Sequence, residues 1–125
     1  MKQQRPVNLD LTTFKFPVTS HASILHRASG FIVFLAIPIF LYALGLSLES
    51  PQGYASIAAW GDSFFCRLIL GAIAGSLFYH LVAGIRHLIM DMGFWETLEG
   101  GQKSARATLG LGIGGGALLF LIILF

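Results

Sequence analysis

Charge is what this 125-residue chain has least of. Asp, Glu, Lys and Arg make up 11% of it, against about 25% in an ordinary soluble domain. Hydrophobic residues reach 55% and the mean hydropathy is +0.76. That balance excludes a soluble globule, because so much apolar surface cannot be hidden in one small core. The single cysteine, Cys66, excludes an intrachain disulfide and a thiolate cluster for an iron–sulfur centre, and reads as a small apolar packing residue. No glycine-rich dinucleotide fingerprint occurs. A cleavable signal is also missing, since the first apolar run follows a polar arm of more than twenty residues and is too long for a signal core. Without an Arg- and Ser-rich presequence, a bacterial membrane is the expected location.

What the chain does have is long runs without charge. Ala28 to Leu48, Leu68 to Ile85 and Ala107 to Phe125 carry no Asp, Glu, Lys or Arg. Each falls within the roughly 17–25 residues an α-helix needs to cross the hydrocarbon. A β-barrel alternates polar and apolar residues in shorter segments, and these runs do not. The expected fold is an all-α membrane protein, three transmembrane helices in an up-down-up bundle forming a single domain over residues 1–125.

The basic residues give an orientation. Lys2, Arg5, Lys15, Arg27, Arg86, Lys103 and Arg106 lie in the N-terminal arm or flank the second connection, and Arg67 alone lies at the other end. The positive-inside rule then puts the N-terminus in the cytoplasm. The net charge of +2 is thereby explained by topology, and nucleic acid is not an expected partner.

Residues 1–20 form the arm, and helices are expected at about 21–48, 62–92 and 103–125. Thr19 or Ser20 offers a hydroxyl cap for the first, and Pro38 is expected to kink it. Ser50-Pro51-Gln52-Gly53 is a turn signal, followed by a weakly amphipathic stretch whose Tyr54 and Trp60 suit the membrane interface. Gly100-Gly101 marks the second loop. In the last helix Gly110-x-x-x-Gly114 and Gly112-x-x-x-Gly116 suit close helix contact, or reflect the general glycine enrichment of membrane helices.

Two clusters break the apolar pattern at one side of the bilayer. Ser23, His26 and Arg27 open the first run; His80, Arg86 and His87 close the second. Ionisable groups in hydrocarbon are costly and face a bundle interior, a cofactor or an ion path. Ser23, Arg27 and Gly30 share one helix face, as do His80, Gly84 and His87. Gly84 leaves room one turn from His80 for something flat, a haem edge or a neighbouring helix. Arg27 and Arg86 also read as snorkelling anchors, and Ser23 as a back-bond to its own helix. His80 lies about 9 Å deeper than Arg86 at 1.5 Å per residue, where an imidazole needs partners for both nitrogens. Iron ligation or a helix–helix hydrogen bond meets that need.

Two signatures resemble the cytochrome b membrane-anchor subunit of succinate dehydrogenase, succinate:quinone oxidoreductase. One is Ser23-Ile24-Leu25-His26-Arg27-Ala28-Ser29-Gly30, after an arm containing Arg5-Pro6-Val7-Asn8-Leu9-Asp10-Leu11. The other is His80-x-x-x-Gly84-Ile85-Arg86-His87-Leu88-x-x-Asp91. The resemblance covers essentially the whole chain. It implies that His80 is an axial ligand of a haem b shared with a second, smaller anchor subunit. It implies that Ser23 and Arg27 line the site of a quinone, ubiquinone by expectation, and that His26 and His87 lie near the haem propionates. It implies an iron–sulfur and a flavoprotein subunit as further partners, and the bacterial inner membrane as location. The chemistry agrees: two histidines make a six-coordinate haem that transfers electrons, propionates need cations such as the Arg-rich end supplies, and a hydroxyl with a fixed cation suits a quinone oxygen on which charge develops.

Three rival readings have distinct signatures. A fumarate reductase anchor runs the chemistry in reverse, and haemless versions leave His80 without a role. A stand-alone cytochrome takes both ligands from this chain, which is opposed by the expectation that His26, near the interface, and His80 lie at different depths. A proton or solute transporter uses the His/Arg cluster as a relay.

Overall fold

Each of the three apolar runs forms one continuous helix in a computed structural model that describes residues 7, 9, 10, 12 and 15–125. The helices are α1 (Val18–Glu49), α2 (Pro51–Trp60), α3 (Phe64–Asp91) and α4 (Leu98–Leu124). Among them α1, α3 and α4 are long and apolar enough to cross a membrane. In the arm signature, Arg5, Pro6, Asn8 and Leu11 lie outside the described residues, as does Lys2.

Helix α1 starts earlier than the hydroxyls at Thr19 and Ser20 suggest. Pro17 is its cap, extended at φ −65° and ψ 158°, with no side-chain cap bond. Its carbonyl accepts from the backbone of Ser20 (3.0 Å) and His21 (3.3 Å). Proline restricts the residue before it, so the helix is free to begin directly after. Pro38 sits inside α1 without ending it. The Ser50–Gly53 turn signal proves to be a helix start: the Ser50 hydroxyl accepts from Gly53 N at 3.0 Å, and Pro51 occupies the first helical positions, where its missing N–H costs nothing. Gly53 lies against the Leu46 carbonyl with no space for a Cβ.

The second loop is shorter than Gly100-Gly101 implies. Helix α3 ends at Asp91 with Met92 as its cap, and the chain turns away at Gly93, whose φ of +93° is reached cheaply only by glycine. Helix α4 then starts at Leu98, with the Thr97 hydroxyl accepting from Gly100 N at 3.0 Å. Glu99 in the first turn complements the helix dipole and pairs with Lys103 at 2.7 Å. These terms outweigh the poor helix propensity of two glycines. Gly100 is there for close approach, since a Cβ on it meets the Trp95 backbone at 3.1 Å, whereas a Cβ on Gly101 would make only ordinary contact with the Trp95 carbonyl at 3.7 Å.

Contacts run in opposite order along α3 and α4, so the two are antiparallel: Gly71 meets Phe120, Gly75 meets Gly116, and Tyr79 meets Gly112. Helix α1 is antiparallel to α3 in the same way, with Ser29 at His80 and Phe40 and Ala43 beside Arg67 and Leu70. The interior is made of small residues. Ala22, Ala36, Ala83 and Ala105 are buried, while Phe31, Phe34, Leu41 and Leu118 are more than half exposed. Lipid tails are as apolar as leucine, so membrane helices associate through close packing of small residues, not through burial of large ones.

The two overlapping glycine motifs therefore separate. A Cβ on Gly75 or on Gly116 lies 2.9 Å from the other's carbonyl oxygen, whereas Gly110 and Gly114 have nothing within 4 Å. Gly75→Ala and Gly116→Ala are expected to destabilise the helix pair by about 1–3 kcal/mol through overpacking. Gly110→Ala and Gly114→Ala are expected to leave the pair intact, or to strengthen it slightly through helix propensity. Thermal unfolding of the four variants in detergent checks the contrast.

Candidate functional site

The histidines of the two signatures converge between α1 and α3. The rings of His26 and His80 stack with centroids 4.2 Å apart and planes at 11°. The His87 ring lies 4.9 Å from His26, tilted by 46°. All three are half-buried. Gly84 faces this group, but the nearest atom to its Cβ position is His26 Nε2 at 3.7 Å. The space expected beside Gly84 is thus taken up, at least in part, by an imidazole of the same chain.

The partners of His80 fix its chemistry. Its Nδ1 lies 3.1 Å from the His26 backbone carbonyl and 3.2 Å from the Ser29 hydroxyl. A carbonyl oxygen only accepts, so Nδ1 must carry the proton and donate. The neutral ring then has its lone pair on Nε2. No hydrogen bond from the described chain reaches that atom. His80 is left with one free metal-binding nitrogen and the other nitrogen tied to a carbonyl, the usual arrangement of a ligating histidine. Among the described residues no group of three His, Cys, Asp or Glu side chains is placed to hold a metal ion. A haem iron suits the site because four of its ligands come from the macrocycle.

Ser23 is half-buried and Arg27 exposed on α1, and neither side chain has a hydrogen bond or ion pair within the described chain. The back-bond considered for Ser23 belongs instead to Ser29, whose Oγ donates to the His26 carbonyl at 2.8 Å. Nothing ties Ser23 and Arg27 to the histidine group, and they remain free for an external partner.

Arg86 departs from its expected role. Its side chain is 5% exposed, with Nε donating to Ser104 Oγ at 3.0 Å and Nη2 to the Gly101 carbonyl at 3.2 Å. It is turned into α4 as a strut and is not a cation presented at the interface. The signal for this was in the sequence, in the small residues Gly101, Ser104 and Ala105 of the α4 start. They admit a guanidinium only once that segment is known to be helical. A second tie runs from Tyr79 Oη to the Ala22 carbonyl at 2.9 Å, fixing α3 against α1 one residue from His80.

His26 and His80 also lie at one depth, against expectation. Because α1 begins at Val18, His26 is two turns inside it and not at its mouth. This does not revive the two-ligand rival. Axial ligands approach an iron from opposite sides with the macrocycle between them, and two rings stacked face to face leave no room for it.

Three membrane-length helices with a group of histidines between two of them define a multi-span helical membrane protein. The family model described as succinate dehydrogenase/fumarate reductase transmembrane subunit matches residues 1–124. Similar curated proteins include a succinate dehydrogenase cytochrome b556 subunit of Coxiella burnetii, 41% identical over 84% of this chain and 85% of its own. Another of that name from Paracoccus denitrificans is 31% identical over 84% of this chain and 81% of its own. A cytochrome b560 subunit of Reclinomonas americana is 30% identical over 98% and 85%. The chain belongs to the family of succinate dehydrogenase/fumarate reductase transmembrane subunits.

The strut gives a prediction separate from any cofactor. Arg86→Met removes two buried hydrogen bonds, while the Ser104 hydroxyl keeps its own bond to the Gly101 carbonyl at 3.0 Å, with an expected loss of about 2 kcal/mol. Arg86→Lys is expected to recover only part of it, since an ammonium lacks the planar fork that reaches both acceptors. Chemical unfolding in mixed micelles measures both.

Proposed function

We propose that this chain is the cytochrome b membrane anchor of a bacterial succinate dehydrogenase. In this reading it holds the flavoprotein and iron–sulfur subunits at the cytoplasmic face of the inner membrane, shares a haem b with a smaller anchor subunit, and forms part of the quinone site. It has no succinate chemistry of its own. The observation that carries the reading is the placement of His80, with the His26 carbonyl and the Ser29 hydroxyl facing Nδ1 and Nε2 left free inside a membrane helix of a chain whose relatives are named cytochrome b subunits.

The residues divide the work. His80 Nε2 would hold the iron of a haem b, with a second ligand supplied by the smaller anchor. Haem b held by two histidines would supply one-electron transfer and no oxygen chemistry. His26, whose buried Nε2 has no partner in the described chain, and His87 are the groups for the propionates. Arg86 is spent on α4 and takes no part there.

At the quinone, the Ser23 hydroxyl donates to a carbonyl oxygen. The Arg27 guanidinium stabilises the negative charge that grows on that oxygen as electrons arrive. Arg27 is suited to this because no carboxylate of the described chain neutralises it. The pair lies one turn apart within the first three turns of α1, toward the end that the positive-inside rule puts at the cytoplasm.

The deciding experiment is a reduced-minus-oxidised spectrum of the purified complex, wild type beside His80→Ala. A low-spin b-type spectrum that His80→Ala alters or abolishes is the expected result. A haem-free wild type, or a spectrum indifferent to the substitution, sinks the reading. Arg27→Ala is expected to lower quinone reduction by at least about tenfold, the smaller end of what losing a charge-stabilising donor costs, with the haem spectrum unchanged. Ser23→Ala should act in the same direction, and steady-state turnover with a soluble quinone reads both.

A further inference from the structure

The segment His26–Gly30 does more than lie beside His80; it holds the ring from three sides. The His26 imidazole covers one face at 4.2 Å. A Cβ on Gly30 would lie 2.9 Å from His80 Cε1 and 3.3 Å from Nδ1, so Gly30 is the bare ground on which that edge of the ring rests. The third side is polar, with the His26 carbonyl and the Ser29 hydroxyl both within reach of Nδ1. Ser29 is itself only 6% exposed, so its hydroxyl has no water to turn to.

We propose that Ser29 and Gly30 form the seat of His80, with the Ser29 hydroxyl as a positioning residue that tunes the electron donation of His80 Nε2. The proposal rests on the ligand role given to His80 above. The carbonyl of His26 is crowded: it takes the Ser29 proton at 2.8 Å, the α1 backbone bond due at that position, and a share of the His80 Nδ1–H. A carbonyl oxygen has two lone pairs for these three donors. Having given its own proton to the carbonyl, Ser29 Oγ becomes the richer acceptor, since chained hydrogen bonds polarise one another. The Nδ1–H bond to that oxygen makes Nε2 more basic. A more basic axial imidazole favours the oxidised iron, so the seat holds the haem potential down. Gly30 is needed for the ring to come close enough for this bond to form.

The test uses the whole purified complex carrying Ser29→Ala, Ser29→Thr or His80→Ala. Midpoint potential is read by redox titration, and ring orientation by the largest g-value of the oxidised haem. Ser29→Ala is expected to keep a low-spin spectrum while its potential rises and its g-value moves; Ser29→Thr, which keeps the hydroxyl, stays near wild type. An unchanged potential and g-value in Ser29→Ala overturn the proposal. If Ser29→Ala loses its haem, Ser29→Thr decides: haem kept at the wild-type potential supports the hydroxyl, and haem lost there too overturns it. The two levels stay distinguishable. A spectrum insensitive to His80→Ala removes the ligand role itself. A spectrum sensitive to His80→Ala, with a potential indifferent to Ser29, removes only the seat.

Discussion

The constraint on which this structure depends is that hydrocarbon offers no hydrogen bonds. Every polar group carried into the bilayer must find its partner within protein. The chain meets this in part by pairing polar side chains across helices, and leaves His26 Nε2 buried without a partner in the described chain. Arg86 donates to Ser104 and Gly101 of α4, Tyr79 to Ala22 of α1, and His80 to the His26 carbonyl. These bonds supply the directional contacts of a bundle whose apolar contacts have little to gain over lipid, and they set how α3 is rotated between its neighbours. The orientation of the site follows from them, since Tyr79 and His80 are adjacent on α3.

Close approach is the second requirement, because such bonds form only if backbones come near. Glycine, alanine and serine fill the contact surfaces for this reason. Gly75 and Gly116 bring α3 and α4 into backbone contact, and that contact in turn lets Arg86 reach the first turn of α4. Gly30 plays the equivalent part between α1 and α3, under the His80 ring. The large side chains meanwhile face outward, the reverse of a soluble core.

Against this background the rival functions separate on geometry. A self-contained cytochrome needs two imidazoles on opposite faces of one macrocycle, and the chain's two best-placed rings are pressed together. A proton relay needs imidazoles whose protons can move, and His80 Nδ1 is held between two oxygens, the His26 carbonyl and the Ser29 hydroxyl. The proposed ligand role needs one nitrogen unclaimed, and no hydrogen bond of the described chain reaches His80 Nε2.

Much of this was legible without coordinates. Charge-free run lengths are a property of composition, and the bilayer thickness converts them directly into three spanning helices. Helical spacing put His80, Gly84 and His87 on one face of α3, which holds. It put Ser23, Arg27 and Gly30 on one face of α1, where the structure turns His26 to His80 and leaves Arg27 exposed. Sequence could not tell that Ser50-Pro51 starts a helix instead of a turn, or that Gly100-Gly101 lies inside one, because each cap competes with propensity by a margin of about 1 kcal/mol. Nor could it assign Arg86 to α4, Ser29 to His80, or the space at Gly84 to His26. These depend on how helices are rotated about their axes and how closely they approach, which many weak contacts decide together. Composition and run length alone make this chain a membrane bundle with histidines inside its spans. Which nitrogen of His80 is left free follows from the fold, since it depends on a backbone carbonyl, a group every residue carries and no sequence pattern marks.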